Sequence, residues 1–218
     1  MNKTKRLIIL VISLTLVLAI CGATLYFVFH RGPDVEEIYD RVVELVEASH
    51  ELNTVFYGAG LPVYKTDSVY ADITYMYYDF QNKGYYEYVS DHAKFLFTQD
   101  IKQAAEQVYS TAYLNDILYN NAFVGYAIED GEGGAAYAHA RFLEDENWIY
   151  QSTYAKSYLE GMRIYDYSTM KVVAPSTSKA CYVTMDSWID TAPDQITTVR
   201  LRLVLQDDGL WYLDSFTG

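Results

Sequence analysis

The pattern of apolar and polar positions divides the chain near residue 31. Residues 7–29 form an uncharged, predominantly apolar run of 23 residues preceded by Lys3, Lys5 and Arg6. At ~1.5 Å per residue a helix of that length reaches ~35 Å, enough to cross a ~30 Å hydrocarbon core with modest tilt. The pattern therefore predicts a transmembrane helix over 7–29. Basic residues precede it and only Arg31 directly follows, which places residues 1–6 in the cytoplasm and the rest of the chain outside. A cleaved secretory signal fits less well, because its apolar region would be about 7–15 residues long. A lipoprotein signal is the sharper alternative, since Leu18-Ala19-Ile20-Cys21 approximates a lipobox. Ile20, however, stands where a small residue is wanted, and the apolar run continues well past Cys21.

Beyond residue 31 the period changes to that of surface helices and half-buried strands. Asp34 followed by Glu37 offers a capping box, and Glu36 and Glu37 put acid in a first helical turn. Val35, Ile38, Tyr39, Val42, Val46, Ser49 and Leu52 then share one face, until Gly58, Gly60 and Pro62 stop the helix. Residues 63–89 are aromatic: Tyr75, Met76, Tyr77 and Tyr78, then Tyr85, Tyr86, Glu87, Tyr88 and Val89, read as strands around a turn at 81–84. A second helix begins near Thr98 with Ile101, Ala104, Ala105, Val108 and Ala112 on one face, and Leu114, Ile117 and Leu118 suggest a short third. After a glycine-rich acidic loop at 130–134 the chain turns to strands. Residues 136–143 and 148–153 form a hairpin around Glu144, Asp145 and Glu146, and 162–174 and 180–189 are two further strands. Val199, Leu201, Leu203 and Leu205 alternate with outward positions before a turn at Asp207, Asp208 and Gly209. Helices followed by an antiparallel meander make an α+β plan, with helices packed on one face of a curved sheet. Residues 34–218 are read as one extracytoplasmic domain, with 63–89 the segment best able to form a lobe of its own.

Charge sharpens this picture once the anchor is set aside. Residues 32–218 hold 12 of the 16 Lys and Arg and all 29 Asp and Glu, a net of −17. Nucleic acid and anionic headgroups repel such a domain, whereas a basic protein partner would be steered toward it. Cys181 is the one cysteine outside the anchor, so no internal disulfide is available and the fold must rest on apolar packing.

Enzyme signatures are missing. The chain has no G-x-S-x-G elbow, phosphate-binding glycine loop, H-E-x-x-H or cysteine pair for zinc. His50, His92 and His139 stand at no metal-ligand spacing, a Cys181–His139 pair has no local support, and no cofactor is expected. Glu144, Asp145 and Glu146, and likewise Glu129, Asp130 and Glu132, could face a cation or a basic partner, though consecutive acids are most often a solvated turn. Asp166 or Asp186 beside a tyrosine would be needed for an enzyme of the isomerase kind. The 23 tyrosines are the main oddity. Tyrosine joins large apolar area to a polar tip and suits recognition surfaces, although most of these are expected to fill a core with the hydroxyl at its rim. Tyr75, Tyr77, Tyr78, Tyr85, Tyr86 and Tyr88 are the candidates for a surface.

The order of elements resembles a known fold. A first amphipathic helix leads to the aromatic strand Tyr85-Tyr86-Glu87-Tyr88-Val89 and a helix opening Thr98-Gln99-Asp100-Ile101-Lys102. A strand with Ala140-Arg141-Phe142 and a closing hairpin with Gly209-Leu210-Trp211-Tyr212-Leu213-Asp214 follow. Over residues 34–218 this resembles the cystatin-like (nuclear-transport-factor-like) fold, and within it the IseA-type inhibitors of bacterial cell-wall DL-endopeptidases. The resemblance implies a non-enzymatic protein that docks on a peptidoglycan hydrolase and transfers no site residue. Familiar members are secreted, whereas this chain keeps an anchor, which equally suits a scaffold in a membrane-spanning envelope complex. A cell-wall or small-ligand binding module is the other reading.

Overall fold

The computed structural model describes residues 31–64, 76–79, 84–128, 137–153, 157 and 159–218, together with the helical positions Thr15 and Val17; at 76–78, 84, 126–128 and 137–139 it describes the backbone alone. The expected span over 7–29, those two positions apart, and the turn at 81–83 lie outside the described residues. Among the described residues no helix is long and apolar enough to cross a membrane.

Helix α1, Val35–Tyr57, forms where the capping signal predicts. The Asp34 N–H donates to the Glu37 carboxylate at 3.1 Å, and Glu36 and Glu37 face the positive end of the helix. The inward stripe runs through Ile38, Val42, Leu45, Ser49, Leu52 and Phe56, broadened by Val46, Asn53 and Val55. Tyr39, expected on this stripe, is exposed. It follows Ile38 by one residue, so the helix turns it ~100° from the stripe's centre. Each fully buried aliphatic side chain here contributes on the order of 1.5–3 kcal/mol. At Gly60, φ is 83°, and a Cβ there would lie 1.9 Å from the Gln151 Oε1, so only glycine fits this exit from the helix.

The sheet on which α1 packs is built from β7 (Arg163–Val173), β8 (Ala180–Ile189), β9 (Ala192–Leu205) and β10 (Trp211–Leu213), antiparallel in the order β10-β9-β8-β7. Alternation along β8 is regular: Cys181, Val183, Met185 and Ser187 are buried and the intervening residues half-buried. β9 starts earlier than its hydrophobic alternation predicts. Pro193 and Asp194 are its second and third residues, close to the β8–β9 hairpin, where a proline is tolerated. The predicted turn before β10 is present, with Gly209 at φ 81°.

A second four-stranded sheet has the order β1-β2-β6-β5, from β1 (Met76–Asp79), β2 (Gly84–Tyr88), β5 (Phe142–Glu144) and β6 (Ile149–Ser152). The run at 136–143, predicted as one strand, is divided. Its first part forms β4 (Tyr137–His139), which pairs with β3 (Tyr126–Ile128), and its last part starts β5. Arg141 stands at the break. Its buried guanidinium donates to the Val55 carbonyl at 2.8 Å and the Gly58 carbonyl at 2.5 Å, closing the carbonyl end of α1. Between β2 and β3 in the chain come α2 (Thr98–Glu106) and α3 (Thr111–Tyr113). α3 continues into two π-helical turns, Leu114–Leu118 and Asn120–Val124, where a short α-helix was expected.

One hydrophobic cluster joins these elements, running from Ile38 and Phe56 through Val89, Ile101, Leu118 and Phe142 to Met185, Leu203 and Leu213. A polar seam crosses it. The Tyr109 hydroxyl donates to Asn53 Oδ1 at 2.9 Å, Asn53 Nδ2 donates to Thr217 Oγ1 at 2.7 Å, Ser49 shares Thr217 Oγ1 at 2.6 Å, and the Tyr165 hydroxyl donates to the Thr217 carbonyl. All five residues are buried, so each polar group is bonded rather than stranded.

Candidate functional site

Pairing of β2 with β6 and of β6 with β5 brings together two groups of residues far apart in the chain: the aromatic strand and the acidic hairpin tip. Tyr88 lies opposite Tyr150, and Tyr150 opposite Leu143, so the three share a face of the sheet. The Tyr88 ring meets Tyr150 edge-on at 4.8 Å and Trp148 at 5.7 Å.

The three acids of the tip do different jobs. Glu144 accepts the Thr98 N–H at 2.6 Å and so ties the hairpin to the first turn of α2. Asp145 organises the turn itself, accepting the N–H groups of Asn147 at 2.8 Å and Trp148 at 2.9 Å and the Tyr150 hydroxyl. Those bonds, Tyr150 foremost, hold its carboxyl below the usual aspartate range, while burial and the nearby Asp145 push the Tyr150 phenol up. Glu146 is exposed and has no hydrogen bond or ion pair among the described residues. The solvated-turn reading thus accounts for Asp145, whose bonds present the Trp148 indole outward.

Trp148 leads an exposed apolar group that sequence reasoning passed over. Trp148 is 42 % exposed, and Leu96 and Phe97, in the loop before α2, are 42 % and 46 % exposed, far more than an apolar residue placed for packing. With the buried Val89 and Ile149, joined by the Val89 N–H to Ile149 carbonyl bond of 3.1 Å, they line a cleft of about 130 Å³ rimmed by Asp91 and Asn147. The available signal was three large apolar residues beside turns, at 96, 97 and 148, where polar ones are the rule.

The remaining predicted residues are dispersed. Tyr85 is exposed on β2, but Tyr86 leaves the candidate surface: it is fully buried, its hydroxyl donating to the Ala140 carbonyl at 2.9 Å, because alternation turns it away from the face Tyr85 takes. Tyr77 and Tyr78 stand in register opposite Tyr86 and Tyr85. Tyr75, Glu129, Asp130 and Glu132 lie outside the described residues.

Three residues weighed for catalysis, Cys181, Asp166 and Asp186, lie on β7 and β8. Cys181 is buried in β8, its thiol pushed up by burial, with the Ser176 hydroxyl 3.9 Å from its sulfur. Asp166 and Asp186 face each other across β7 and β8 beside a bulge, where Asp166 accepts the Ser168 N–H at 3.0 Å and Asp186 accepts the Thr198 hydroxyl at 2.7 Å. A further cleft of about 220 Å³ lies between the end of α1 and the start of β7, with His50, Asn53, Arg163 and Gly218 among its lining. Its Arg163 is already engaged by the Gly218 carbonyl at 3.3 Å and the Ser187 hydroxyl at 2.9 Å. Among the described residues no three His, Cys, Asp or Glu side chains are grouped to hold a metal ion. Comparison of the chain with protein-family profiles, with curated proteins and with solved structures returned no match.

Proposed function

We propose that the chain is a membrane-anchored, non-enzymatic docking module whose cystatin-like domain stands on the extracytoplasmic side and binds a basic envelope protein. A cell-wall DL-endopeptidase is the partner that the IseA-type resemblance implies. The observation that carries the reading is the convergence of acid and apolar surface at one end of the second sheet, where the exposed Trp148, Leu96 and Phe97, with the half-buried Tyr88 against Trp148, are rimmed by Asp91 and Asn147. An apolar centre with a charged rim is the anatomy of a recognition surface, and the net of −17 over residues 32–218 supplies long-range attraction to a positive partner. Filled packing beneath the edge, from Phe142 to Val89, favours surface docking over enclosure of a ligand.

The test uses the full chain in detergent micelles, titrated with a purified papain-like DL-endopeptidase at low and at moderate salt. Saturable binding is expected, weakening as salt rises and accompanied by loss of peptidoglycan hydrolysis. Absence of binding at micromolar concentrations, or binding indifferent to salt, would sink the reading.

A further inference from the structure

The cleft under Trp148 has a shape and a chemistry that specify more than a sticky patch. We propose that it is a socket for one basic side chain, a lysine or an arginine, of the docking partner; the inference rests on the docking function above and names the group that function would seize. The cleft holds about 130 Å³, roughly four times the ~30 Å³ share of a liquid water and so room for a single long side chain. Its floor is Val89 and Ile149, each 2 % exposed, and its walls are Leu96, Phe97 and the Trp148 indole. Such walls suit the methylene stem of a lysine or arginine, which gains by leaving water.

The charged end is provided for as well. An indole face attracts a cation, and Trp148 is positioned by its backbone N–H bond to Asp145 and the edge-on contact of its ring with Tyr88. At the rim the Asp91 side chain is 63 % exposed, and beside it, 3.6 Å away, stands the largely solvent-exposed His92 imidazole. No described lysine or arginine pairs with Asp91. An apolar partner side chain would cover the Asp91 carboxylate without compensating its lost water, which selects for a cation.

The experiment takes the full chain in micelles and follows binding by isothermal titration calorimetry during titration with tetralysine, with tetraglutamine as the uncharged control. Wild type is expected to bind tetralysine alone. Asp91→Asn and Trp148→Ala should each weaken binding about fivefold, and Trp148→Phe by less, since the phenyl face retains part of the attraction. Glu36→Gln removes the same charge from the opposite end of α1 and should change binding less than twofold. Equal losses in Asp91→Asn and Glu36→Gln would mean that charge acts only at long range, and would overturn the socket. Tetralysine failing where the endopeptidase still binds would overturn the socket and leave docking intact, whereas failure of both removes the docking function too. Binding of a chitin tetrasaccharide that is lost in Trp148→Ala but untouched in Asp91→Asn would make the cleft a sugar platform and overturn the socket as well. Circular dichroism of each variant separates loss of binding from loss of fold, and Trp148, being exposed, leaves the core intact when truncated.

Discussion

The two four-stranded sheets are built on opposite principles. The β7–β10 sheet uses strands of up to 14 residues whose alternating buried positions, Cys181, Val183 and Met185 on β8 with Leu201 and Leu203 on β9, close over α1. The β1-β2-β6-β5 sheet uses strands of three to five residues, and all four residues of β6 are buried, so it has no solvent side there to alternate with. The first is held by regular apolar packing and the second by specific anchors: Arg141 on the end of α1, Gln151 Oε1 accepting the Leu61 N–H at 2.7 Å, and Asp145 in its hairpin. A region held by a few polar anchors can leave its large side chains outside. The lesson is that the long sheet uses its large apolar side chains for packing, whereas the short one leaves Trp148 exposed at its hairpin.

That division can be broken, and the largest expected effect is alkaline. Burial, first among the causes, raises the phenols of Tyr109, Tyr113, Tyr165 and Tyr167 around the long sheet. The unfolded chain loses tyrosine protons from about pH 10 while the fold keeps them, so this stability is complete below that pH and lost above it. Phenolate absorbance and circular dichroism, followed together from pH 9 to 13, should show the buried phenols ionising only as the fold collapses; their ionisation in an intact fold would break the account. Next in size, Leu203→Ala, at a fully buried position, should cost about 2–5 kcal/mol in urea unfolding, while Leu96→Ala on the docking edge should cost under ~1 kcal/mol. Similar losses at both positions would erase the distinction between the sheets.

Tyr109→Phe comes third. It strips the partner from the buried Asn53 Oδ1 and should cost about 1–3 kcal/mol by the same measurement. The smallest effect sharpens the comparison from the other side. The Asp145 carboxyl lies below its usual range chiefly through the Tyr150 hydroxyl, so its contribution is present above about pH 4 and lost as pH falls through the lowered value. Trp148 fluorescence should therefore change between pH 5 and 2 in the wild type and stay flatter in Asp145→Asn; identical curves would remove Asp145 as the organiser of the tip.

The same contrast decides what the sequence made legible. α1, α2, β8 and the β9–β10 hairpin follow from periodicity and capping because a single solvated face imposes a period. The hairpin tip at Glu144, Asp145 and Glu146 was readable from its turn chemistry, and the pairing of its strands with Tyr88 was not, since β2 and β6 are 60 residues apart in the chain. Arg141 illustrates the remainder. It lies within 136–143, predicted as one strand, yet tertiary contact with the end of α1 buries it where the strand is broken. Tyr86 and Tyr85, neighbours of one chemistry, divide between core and surface through register alone.

The entry to α1 has a mechanical consequence. Arg31 pairs with Asp34, and Gly32 lies so close to the β7–β8 connection that a Cβ there would stand 2.7 Å from the Ser176 Cβ. Arg141 and Gln151 fasten the docking edge near Val55 and Leu61, about 30 Å along the helix axis from Val35. Together these contacts fix the course of the chain from Arg31 into α1. Under the proposed anchoring, the second sheet would be carried at a set distance and bearing from the chain's entry at Arg31, with α1 as the spacer. A few flexible residues inserted before Arg31 would free that bearing while leaving every contact of the docking edge in place.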